Sequence, residues 1–358
     1  MTAVATQPAV DLRDTPVVTI DLDIMEANIR RLQVYCDAHA IANRPHIKTH
    51  KIPEIARMQL VAGAVGITCQ KLGEVAVMLD AGIRDILLTY NVIGEAKLQR
   101  LRELASRPGA RLAAAIDNLP VARALSSAFA DAGEPLRVLI ECDTGTGRTG
   151  TQTPAEAVGL ARAIADLPGV HFEGIMTYPI TDETGRFFEA TLARLDHAGL
   201  PARVVSTGGT PVYFRAHEVP GVTEHRAGTY VFNDRATVAA GAATGDDCAM
   251  RIRTTVISRP TPARAIIDAG SKTLSSDLMG QIGHGHIVEY PDAAIVRLNE
   301  EHGIVDITRC AEKPDVGEIV SVIPNHTCVV TNLHDALVGV RRGRVEVVWP
   351  VAARGMVR

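Results

Sequence analysis

The sequence predicts an α/β protein, in which a TIM-type (β/α)₈ barrel is followed by a C-terminal antiparallel β domain. From residue 17 to about residue 240, short apolar runs alternate with longer Ala-, Leu- and Arg-rich segments of helical period. After residue 248 the chain changes to strand-like runs separated by Pro, Gly and Asp, with few helical stretches. Near-continuous apolar strands joined by helices are typical of a parallel sheet covered on both faces, and about eight such units favour a closed barrel.

The predicted barrel strands follow one another in a regular order. They are "VVTIDLD", "NRPHIK", "VGITC", "DILLTY", "RLAAAID", "LRVLIECD", "HFEGIMTY" and "ARVVSTGG", each followed by a helical segment. We therefore assign residues 17–245 to the barrel. Residues 246–358 form the predicted β domain, and residues 1–16 are expected to join it before the chain enters the barrel.

Composition limits the classes of function. A chain of 358 residues with 46% hydrophobic side chains can bury a large core and exceeds the usual size of a single domain. A net charge of −4 and a pI near 6.3 provide no field that would gather nucleic acid or anionic lipid. No segment approaches the roughly 20 apolar residues that span a bilayer. We expect a cytoplasmic protein that acts on a small molecule and binds neither nucleic acid nor membrane.

The segment "RPHIKTHK" (residues 44–51) concentrates two lysines and two histidines. We expect a short strand that ends at Lys48, which places this side chain at the mouth of the barrel, where functional residues of such barrels lie. A partly desolvated lysine close to other cationic groups loses its proton more readily and can attack a carbonyl carbon. His46, His50 and Lys51 are then neighbours that assist it. The alternative is a solvated loop.

Two more predicted strand ends carry polar groups. "IECDTGTGRTG" supplies Asp143 and Arg148 in a glycine-rich turn, where the guanidinium can meet a phenolate or a carboxylate. "STGGTP" supplies the backbone N–H groups of residues 208–210, which can bind an anion ahead of a helix. Arg226 and Thr229 follow at the next strand, within "EHRAGTYVFND". Each loop alone is a weak signal.

A pair of metal-ligating residue types occurs in the β domain. His326 and Cys328, in "PNHTC", are two residues apart and on a strand would point to the same face. An imidazole and a thiolate suit a zinc-like ion with open coordination positions. From spacing alone, two unrelated core residues are the more frequent explanation. His334 and Asp335 follow and are expected to orient the metal ligands.

Taken in order, these motifs resemble a known family over nearly the whole length. The chain is similar to fold-type III pyridoxal phosphate enzymes with an alanine racemase-like barrel, and within them to the D-threonine aldolase and D-serine dehydratase group. The motifs that carry the resemblance are "DTPVVTIDLDIMEANI", "RPHIKTHK", "DTGTGRTG", "STGGTP", "RAGTYVFND", "DAGSK", "IPNHTCVVTNLHD" and "VVWPVAARG". The family usually forms homodimers with active sites near the interface, so a homodimer is expected.

The resemblance implies roles for individual residues. Lys48 is the Schiff-base lysine, Arg148 lies beside the cofactor phenolate and Arg226 contacts the pyridine nitrogen. The remaining cofactor contacts, most of them to the phosphate, fall on His46, Thr207, Gly208, Gly209, Thr210, Gly228 and Thr229. The resemblance also makes His326 and Cys328 ligands of a divalent ion (Zn²⁺, Mn²⁺ or Mg²⁺).

A metal close to pyridoxal phosphate implies substrates with a β-hydroxyl group. We expect retro-aldol cleavage of D-β-hydroxy-α-amino acids to glycine and an aldehyde. The alternative is a dehydratase that releases ammonia from D-serine or D-hydroxyaspartate. The segment after the seventh strand lacks the histidine found in many relatives, so Tyr178 and His50 are the candidate bases. A non-catalytic pyridoxal phosphate carrier is a third possibility, but a carrier needs neither the β domain nor the metal pair.

Overall fold

The computed structural model describes residues 10–358, which form two compact units. The barrel unit comprises residues 30–48, 53–228 and 355–358. The β unit comprises residues 10–29, 49–52 and 229–354. Each unit consists of segments that are distant in sequence, so the chain passes from one unit to the other several times. The first nine residues of the predicted 1–16 segment lie outside the described part of the chain.

The strand that we expected to open the barrel belongs to the β unit. Strand β1 (Val17–Asp21) pairs antiparallel with β10 (Met250–Thr261) and parallel with β16 (Ala336–Arg341). The predicted barrel start at residue 17 is therefore corrected. Because β1 is a central strand with neighbours on both sides, it is as apolar as a buried parallel strand. Its sequence pattern therefore does not distinguish a strand of the β unit from a strand of the barrel.

Eight parallel strands form the sheet of the barrel unit. Their order around the sheet is β2-β9-β8-β7-β6-β5-β4-β3. They are β2 (Ala42–Asn43), β3 (Ile67–Cys69), β4 (Asp85–Leu88), β5 (Arg111–Ile116), β6 (Leu136–Glu141), β7 (Val170–Met176), β8 (Val204–Gly208) and β9 (Glu224–Arg226). The ring closes between the first and last of this order, since Val65 N donates to Asn43 O at 2.9 Å and Thr68 N to Pro45 O at 2.8 Å. The predicted closed barrel is confirmed, with Glu224–Arg226 as its eighth strand.

Helices connect these strands, and local sequence signals set where they begin. They are α1 (Leu22–Ala38), α2 (Pro53–Val61), α3 (Leu72–Asp80), α4 (Glu95–Ala105), α5 (Leu119–Phe129), α6 (Pro154–Ala165) and α7 (Thr184–His197), followed by a 3₁₀ segment over Thr210–Glu218. Asn118 caps α5 by accepting from Val121 N at 3.0 Å, and Thr153 caps α6 ahead of Pro154. Buried apolar side chains between helices and strands form the main core.

The β unit is a nine-stranded, mostly antiparallel sheet, as the sequence predicted. Its remaining strands are β11 (Arg264–Ile267), β12 (His286–Ile287), β13 (Ala294–Leu298), β14 (Gly303–Asp306), β15 (Ile319–Ile323) and β17 (Arg344–Pro350). The main path runs β13-β14-β11-β10-β1-β16-β17, and β15 pairs with β10 and β12. Its short helices are α8 (Arg235–Ala239), α9 (Ser271–Leu274) and α10 (Thr327–Leu333).

The boundary between the two units also differs from the expected one at residue 245. Residues from Thr229 onward belong to the β unit, because they bond to it: Arg235 N donates to Pro324 O at 3.1 Å, and Asn28 Nδ2 to Asp247 O at 2.8 Å. At the other end, Arg358 O accepts from Gly73 N at 2.8 Å, so the C-terminal residues return to the barrel unit. No helix within residues 10–358 is both long and apolar enough to cross a bilayer.

Candidate active site

Lys48 lies in a 3₁₀ turn and not at a strand end. Strand β2 stops at Asn43, His46 makes an isolated bridge to Thr68, and Ile47–Thr49 form the turn. Pro45 accounts for the early end of the strand, because proline has no N–H to donate to a ladder. The side chain of Lys48 is half-buried and lines a cavity of the barrel unit, so the predicted position at the barrel mouth holds although the predicted strand does not.

The cavity brings together five of the predicted site residues. Its lining consists of His46, Lys48, Gln70, Thr89, Glu141, Arg148, Met176, Tyr178 and Arg226. His46 is held by two contacts, since its Nδ1 accepts from Lys48 N at 3.3 Å and its Nε2 lies 3.2 Å from Gln70 Oε1. The strand-end motifs that are far apart in sequence therefore meet, as the barrel architecture requires.

Tyr178 is packed between two cations. Lys48 Nζ lies 5.4 Å and Arg148 Cζ 4.9 Å from the centroid of its ring, which is within the range of cation–π attraction. Arg148 Nη2 also lies 3.3 Å from Glu141 Oε1. Burial raises the pKa of Glu141, and Arg148 opposes that shift. The ring of Tyr178 therefore keeps a lysine and an arginine at fixed positions in the cavity wall.

The glycine-rich loop that carries Arg148 is ordered by one carboxylate. Asp143 Oδ1 accepts from Gly145 N at 3.0 Å and from Thr146 N at 2.8 Å, and Oδ2 accepts from Gly147 N at 2.8 Å. Burial raises the pKa of Asp143, but these backbone donors outweigh it and lower the pKa below its usual range. Asp143 thus shapes the loop.

Arg226 is a buried cation with fixed orientation. Its Nη2 donates to Thr177 O at 2.8 Å and its Nη1 to Ser206 Oγ, which in turn donates to Glu224 Oε1 at 2.7 Å. Burial lowers the pKa of Arg226 to about 10, a shift opposed by Glu224 and Glu141. The guanidinium remains charged at neutral pH and lines the cavity.

Two glycines bring the backbone close to this cation. A Cβ atom on Gly208 would lie 3.2 Å from Arg226 Nη2 and 3.3 Å from Tyr178 Cδ2, and one on Gly209 would lie 3.2 Å from Pro179 Cβ. Gly209 has φ +112°, a conformation that favours glycine, and Thr210 begins the 3₁₀ segment. A backbone cradle with no side chains suits a phosphate, and with the amine of Lys48 and Arg226 the donor set fits pyridoxal phosphate.

We expect Gly209→Ala to weaken cofactor binding and to cost about 1 to 3 kcal/mol of folding free energy, the range for backbone strain. Equilibrium denaturation and a pyridoxal phosphate titration measure the two effects. The matched control is Gly94→Ala, at φ +94° with no atom within 4 Å of the added Cβ. If both variants lose cofactor affinity equally, the cradle at Gly209 has no special role.

The hydroxyl groups of Thr207 and Thr229, which were predicted to contact the phosphate, contact other side chains of the protein. Thr207 Oγ1 lies 2.9 Å from His225 Nδ1, and both residues are fully buried. Burial, with a smaller effect of Arg226, lowers the pKa of His225 to about 3, so this imidazole is neutral. Thr229 Oγ1 in the β unit lies 3.8 Å from Cys328 Sγ. Gly228 precedes Thr229 as the last residue of its barrel segment.

His326 and Cys328 are not on a strand. His326 is the extended N-cap residue of α10, and Cys328 is in the first turn of that helix. The alternation argument was wrong because the chain turns into a helix at Thr327, yet the two side chains are hydrogen-bonded. Burial lowers the pKa of His326, but Cys328 and Asp234 outweigh it and raise the pKa to about 11.

The surroundings of this pair differ from the expected ones. His334 Nε2 lies 3.1 Å from Thr273 O, and Asp335 Oδ1 lies 2.6 Å from Arg354 Nη2. Neither of these contacts is with His326 or Cys328. Asp234, which the sequence interpretation missed, has its Oδ2 3.1 Å from His326 Nδ1. Across the described residues no group of three or more His, Cys, Asp and Glu side chains is arranged for a metal. A histidine and a thiol, with the imidazole held by a carboxylate, nevertheless fit a zinc-like ion with open positions.

His50, a candidate base, is fully buried in the β unit. Its Nδ1 accepts from Ile52 N at 3.1 Å. Tyr178 lines the barrel cavity together with Lys48, whereas His50 is not among the residues that line it.

Comparison with known proteins decides the family. Residues 20–236 match the family model "Alanine racemase, N-terminal domain", and residues 249–340 match "Putative serine dehydratase domain". The chain belongs to the alanine racemase-like family of D-threonine aldolases and D-serine dehydratases. This family has a pyridoxal phosphate-dependent fold, so the resemblance inferred from the motifs is confirmed. The prediction of an enzyme is confirmed as well.

Relatives of this family match over nearly their full length. A D-threonine aldolase from Arthrobacter sp. is 36% identical, with 96% of this chain and 94% of the relative aligned. A 3-hydroxy-D-aspartate aldolase from Paracoccus denitrificans is 33% identical, with 95% of this chain and 92% of the relative aligned. The crystal structure of D-threonine aldolase from Filomicrobium marinum superposes with a TM-score of 0.89 at 33% identity, covering 98% of this chain and 99% of that one.

A dehydratase also has this architecture. The D-threo-3-hydroxyaspartate dehydratase from Delftia sp. HT23 gives a TM-score of 0.84 at 31% identity, covering 94% of this chain and 97% of that one. A cysteine-to-alanine variant of a D-threo-3-hydroxyaspartate dehydratase also has a solved structure, in the metal-free form. The family therefore contains both lyase reactions.

Proposed function

We propose that the protein is a pyridoxal phosphate- and divalent metal-dependent lyase that cleaves D-β-hydroxy-α-amino acids to glycine and an aldehyde. The observation that carries the proposal is the barrel cavity, where Lys48, Arg148, Tyr178 and Arg226 converge next to a glycine cradle. The identity to two aldolases over more than nine-tenths of the chain supports the same reaction type.

Within the barrel unit, different residues would contact different parts of the cofactor. Lys48 would hold the cofactor through its amine, and Gly208 and Thr210 would receive the phosphate at their backbone N–H groups. Gly209 donates its N–H to Arg226 O at 3.4 Å and would contribute only space for the phosphate. Bound pyridoxal phosphate serves as an electron sink for the negative charge left at Cα when a bond to it breaks. Arg226 would face the ring nitrogen and, because a guanidinium does not give up its proton, would leave that nitrogen unprotonated.

Proton transfer in the barrel falls to two groups. Lys48 Nζ and Tyr178 Oη lie on side chains in contact through the tyrosine ring, and both can take and return a proton. Arg148, whose Cζ lies 4.9 Å from the centroid of that ring, would provide a positive charge for a carboxylate or phenolate oxygen. We propose Tyr178 as the base.

In the β unit, His326 and Cys328 would hold a divalent ion, for which Zn²⁺, Mn²⁺ and Mg²⁺ are the candidates. Such an ion lowers the pKa of a hydroxyl group that it binds, which assists collapse to an aldehyde. The thiol favours zinc among the three, because carboxylate and water ligands are more usual for magnesium and manganese. Homodimer formation and a cytoplasmic location stay predictions.

A second candidate is dehydration of the same class of substrate. The D-threo-3-hydroxyaspartate dehydratase that is 31% identical over 94% of this chain supports it. In this reaction the β-hydroxyl would leave as water, and hydrolysis of the resulting imine would give a 2-oxo acid and ammonia. The same side chains would serve, and the bond that breaks distinguishes the two reactions.

Product analysis tests the proposal. Enzyme reconstituted with pyridoxal phosphate and Zn²⁺ or Mn²⁺ is incubated with D-threonine and, as the control, with L-threonine. We expect glycine and acetaldehyde from the D-isomer alone. Formation of 2-oxobutanoate and ammonia would assign the dehydratase reaction, and turnover of L-threonine at the same rate would overturn the proposed D-specificity.

A further inference from the structure

Asp234 occupies a central position beside the metal pair. It is fully buried at the N-cap of α8, where its Oδ1 accepts from Thr237 N at 2.9 Å. Its Oδ2 lies 3.1 Å from His326 Nδ1 and accepts from Thr327 N at 3.1 Å. One carboxylate therefore joins the starts of two helices, and it reaches the imidazole with its second oxygen.

The contact between Asp234 and His326 determines the tautomer of the imidazole. An ionised carboxylate can only accept hydrogen bonds, so Nδ1 of His326 must carry a proton. A metal ion that displaces the proton from Nε2 would then bind the lone pair of that nitrogen, while the proton at Nδ1 stays in the contact with Asp234. Histidine ligands in metal sites usually donate their second N–H to a carboxylate or carbonyl in this way.

The sulfur of Cys328 has a comparable support. Thr49 Oγ1 lies 3.2 Å from Cys328 Sγ, and Thr49 is fully buried. A hydroxyl at this distance can donate to a thiolate and fix its direction. The imidazole of His326 and the sulfur of Cys328, which are the proposed metal ligands, are therefore both held in place by buried polar groups of the β unit.

We propose that Asp234 is the positioning residue of the metal pair, which sets the tautomer and orientation of His326 and through them the affinity for a divalent ion. The inference rests on the proposed metal-dependent function. It assigns to Asp234 the part that the sequence had suggested for His334 and Asp335. It goes beyond a capping role, because capping of α8 uses only Oδ1.

Asp234→Asn separates the two roles. Asparagine is as good an N-cap as aspartate, so the bond from Thr237 N is retained, whereas its amide nitrogen cannot accept from Thr327 N as Oδ2 does. Facing His326, its amide group can donate to Nδ1, which forces the ring proton to Nε2 and blocks the ligating nitrogen. We expect Co²⁺ affinity to fall by about 10- to 100-fold, the usual effect of losing such a partner. Asp234→Ser also keeps a cap but does not reach His326, and we expect a loss of similar size.

The measurement is a Co²⁺ titration of the apo-protein, followed through the thiolate-to-cobalt charge-transfer band and the ligand-field bands. The matched control is Asp268→Asn in the same unit, whose carboxylate accepts from Thr254 Oγ1 and Thr255 N and contacts no histidine. We expect wild-type affinity from this control. Thermal unfolding of the apo-proteins checks that all variants are folded.

The outcomes distinguish this inference from the proposed function. If the wild-type protein binds Co²⁺ and both Asp234 variants bind it with wild-type affinity and spectrum, Asp234 does not position the ligand. If the wild-type protein itself gives no thiolate-to-cobalt band, the metal role of His326 and Cys328 fails, and the inference about Asp234 fails with it. Weakened binding in both Asp234 variants but not in Asp268→Asn supports the inference.

Discussion

Lys48→Ala is expected to abolish the visible absorption of the cofactor-loaded protein and to lower turnover of D-threonine by on the order of 10⁴-fold or more, as loss of a covalent catalyst does in other enzymes. The reason is that the amine of Lys48 is the proposed nucleophile of the barrel cavity, where Nζ lies 5.4 Å from the centroid of the Tyr178 ring. Absorption spectra and steady-state kinetics of reconstituted protein measure both effects.

The comparison variant is Lys51→Ala, the other lysine of the "RPHIKTHK" segment. Lys51 Nζ donates to Ala353 O at 3.4 Å in the β unit, and it does not line the barrel cavity. We expect this variant to retain the visible band. A band that persists in Lys48→Ala and disappears in Lys51→Ala would contradict the assignment of the nucleophile.

Cys328→Ala has the second largest expected effect. Loss of a residue that only hydrogen-bonds to a metal ligand weakens metal binding by about 10- to 100-fold. Removal of Cys328, one of the two proposed ligands, should weaken it by more. We expect activity to fall with metal affinity, while the visible band of the cofactor, which depends on Lys48, remains. Chelation of wild-type enzyme with EDTA should give the same combination.

Replacement of Cys310 by alanine is a suitable control, because it is a buried free thiol outside the pair. Metal content measured by atomic emission, activity and the visible spectrum are compared across the variants. Turnover that survives complete removal of the metal would show that His326 and Cys328 do not serve the reaction.

Periodicity was sufficient to predict the barrel but not to number its strands. Alternation of apolar and helical segments extends over most of the chain and gives the architecture. Strand β1 has the same apolar pattern as a barrel strand because it is covered by neighbours on both sides in the other sheet. The true eighth strand, Glu224–Arg226, is only three residues long and polar, so no pattern of period two marks it.

Barrel residues were predictable because a parallel barrel brings all of its strand ends to one edge. Lys48, Arg148 and Arg226 meet in one cavity for this reason, although Pro45 ends β2 early. Local motifs gave no information on long-range partners. Asp234 contacts His326 across 92 residues of sequence, whereas His334, close to it in sequence, bonds to Thr273. The ending "FND" ahead of a short helix was the only signal for Asp234, and it indicated an N-cap.

Covalent mapping of the cofactor tests the central claim most directly. The protein is loaded with pyridoxal phosphate, reduced with borohydride, digested and analysed by mass spectrometry. The structure predicts a single phosphopyridoxyl group on the peptide that contains Lys48. A modification confined to another lysine, such as Lys51 or Lys71, or no modification at all, would contradict the account.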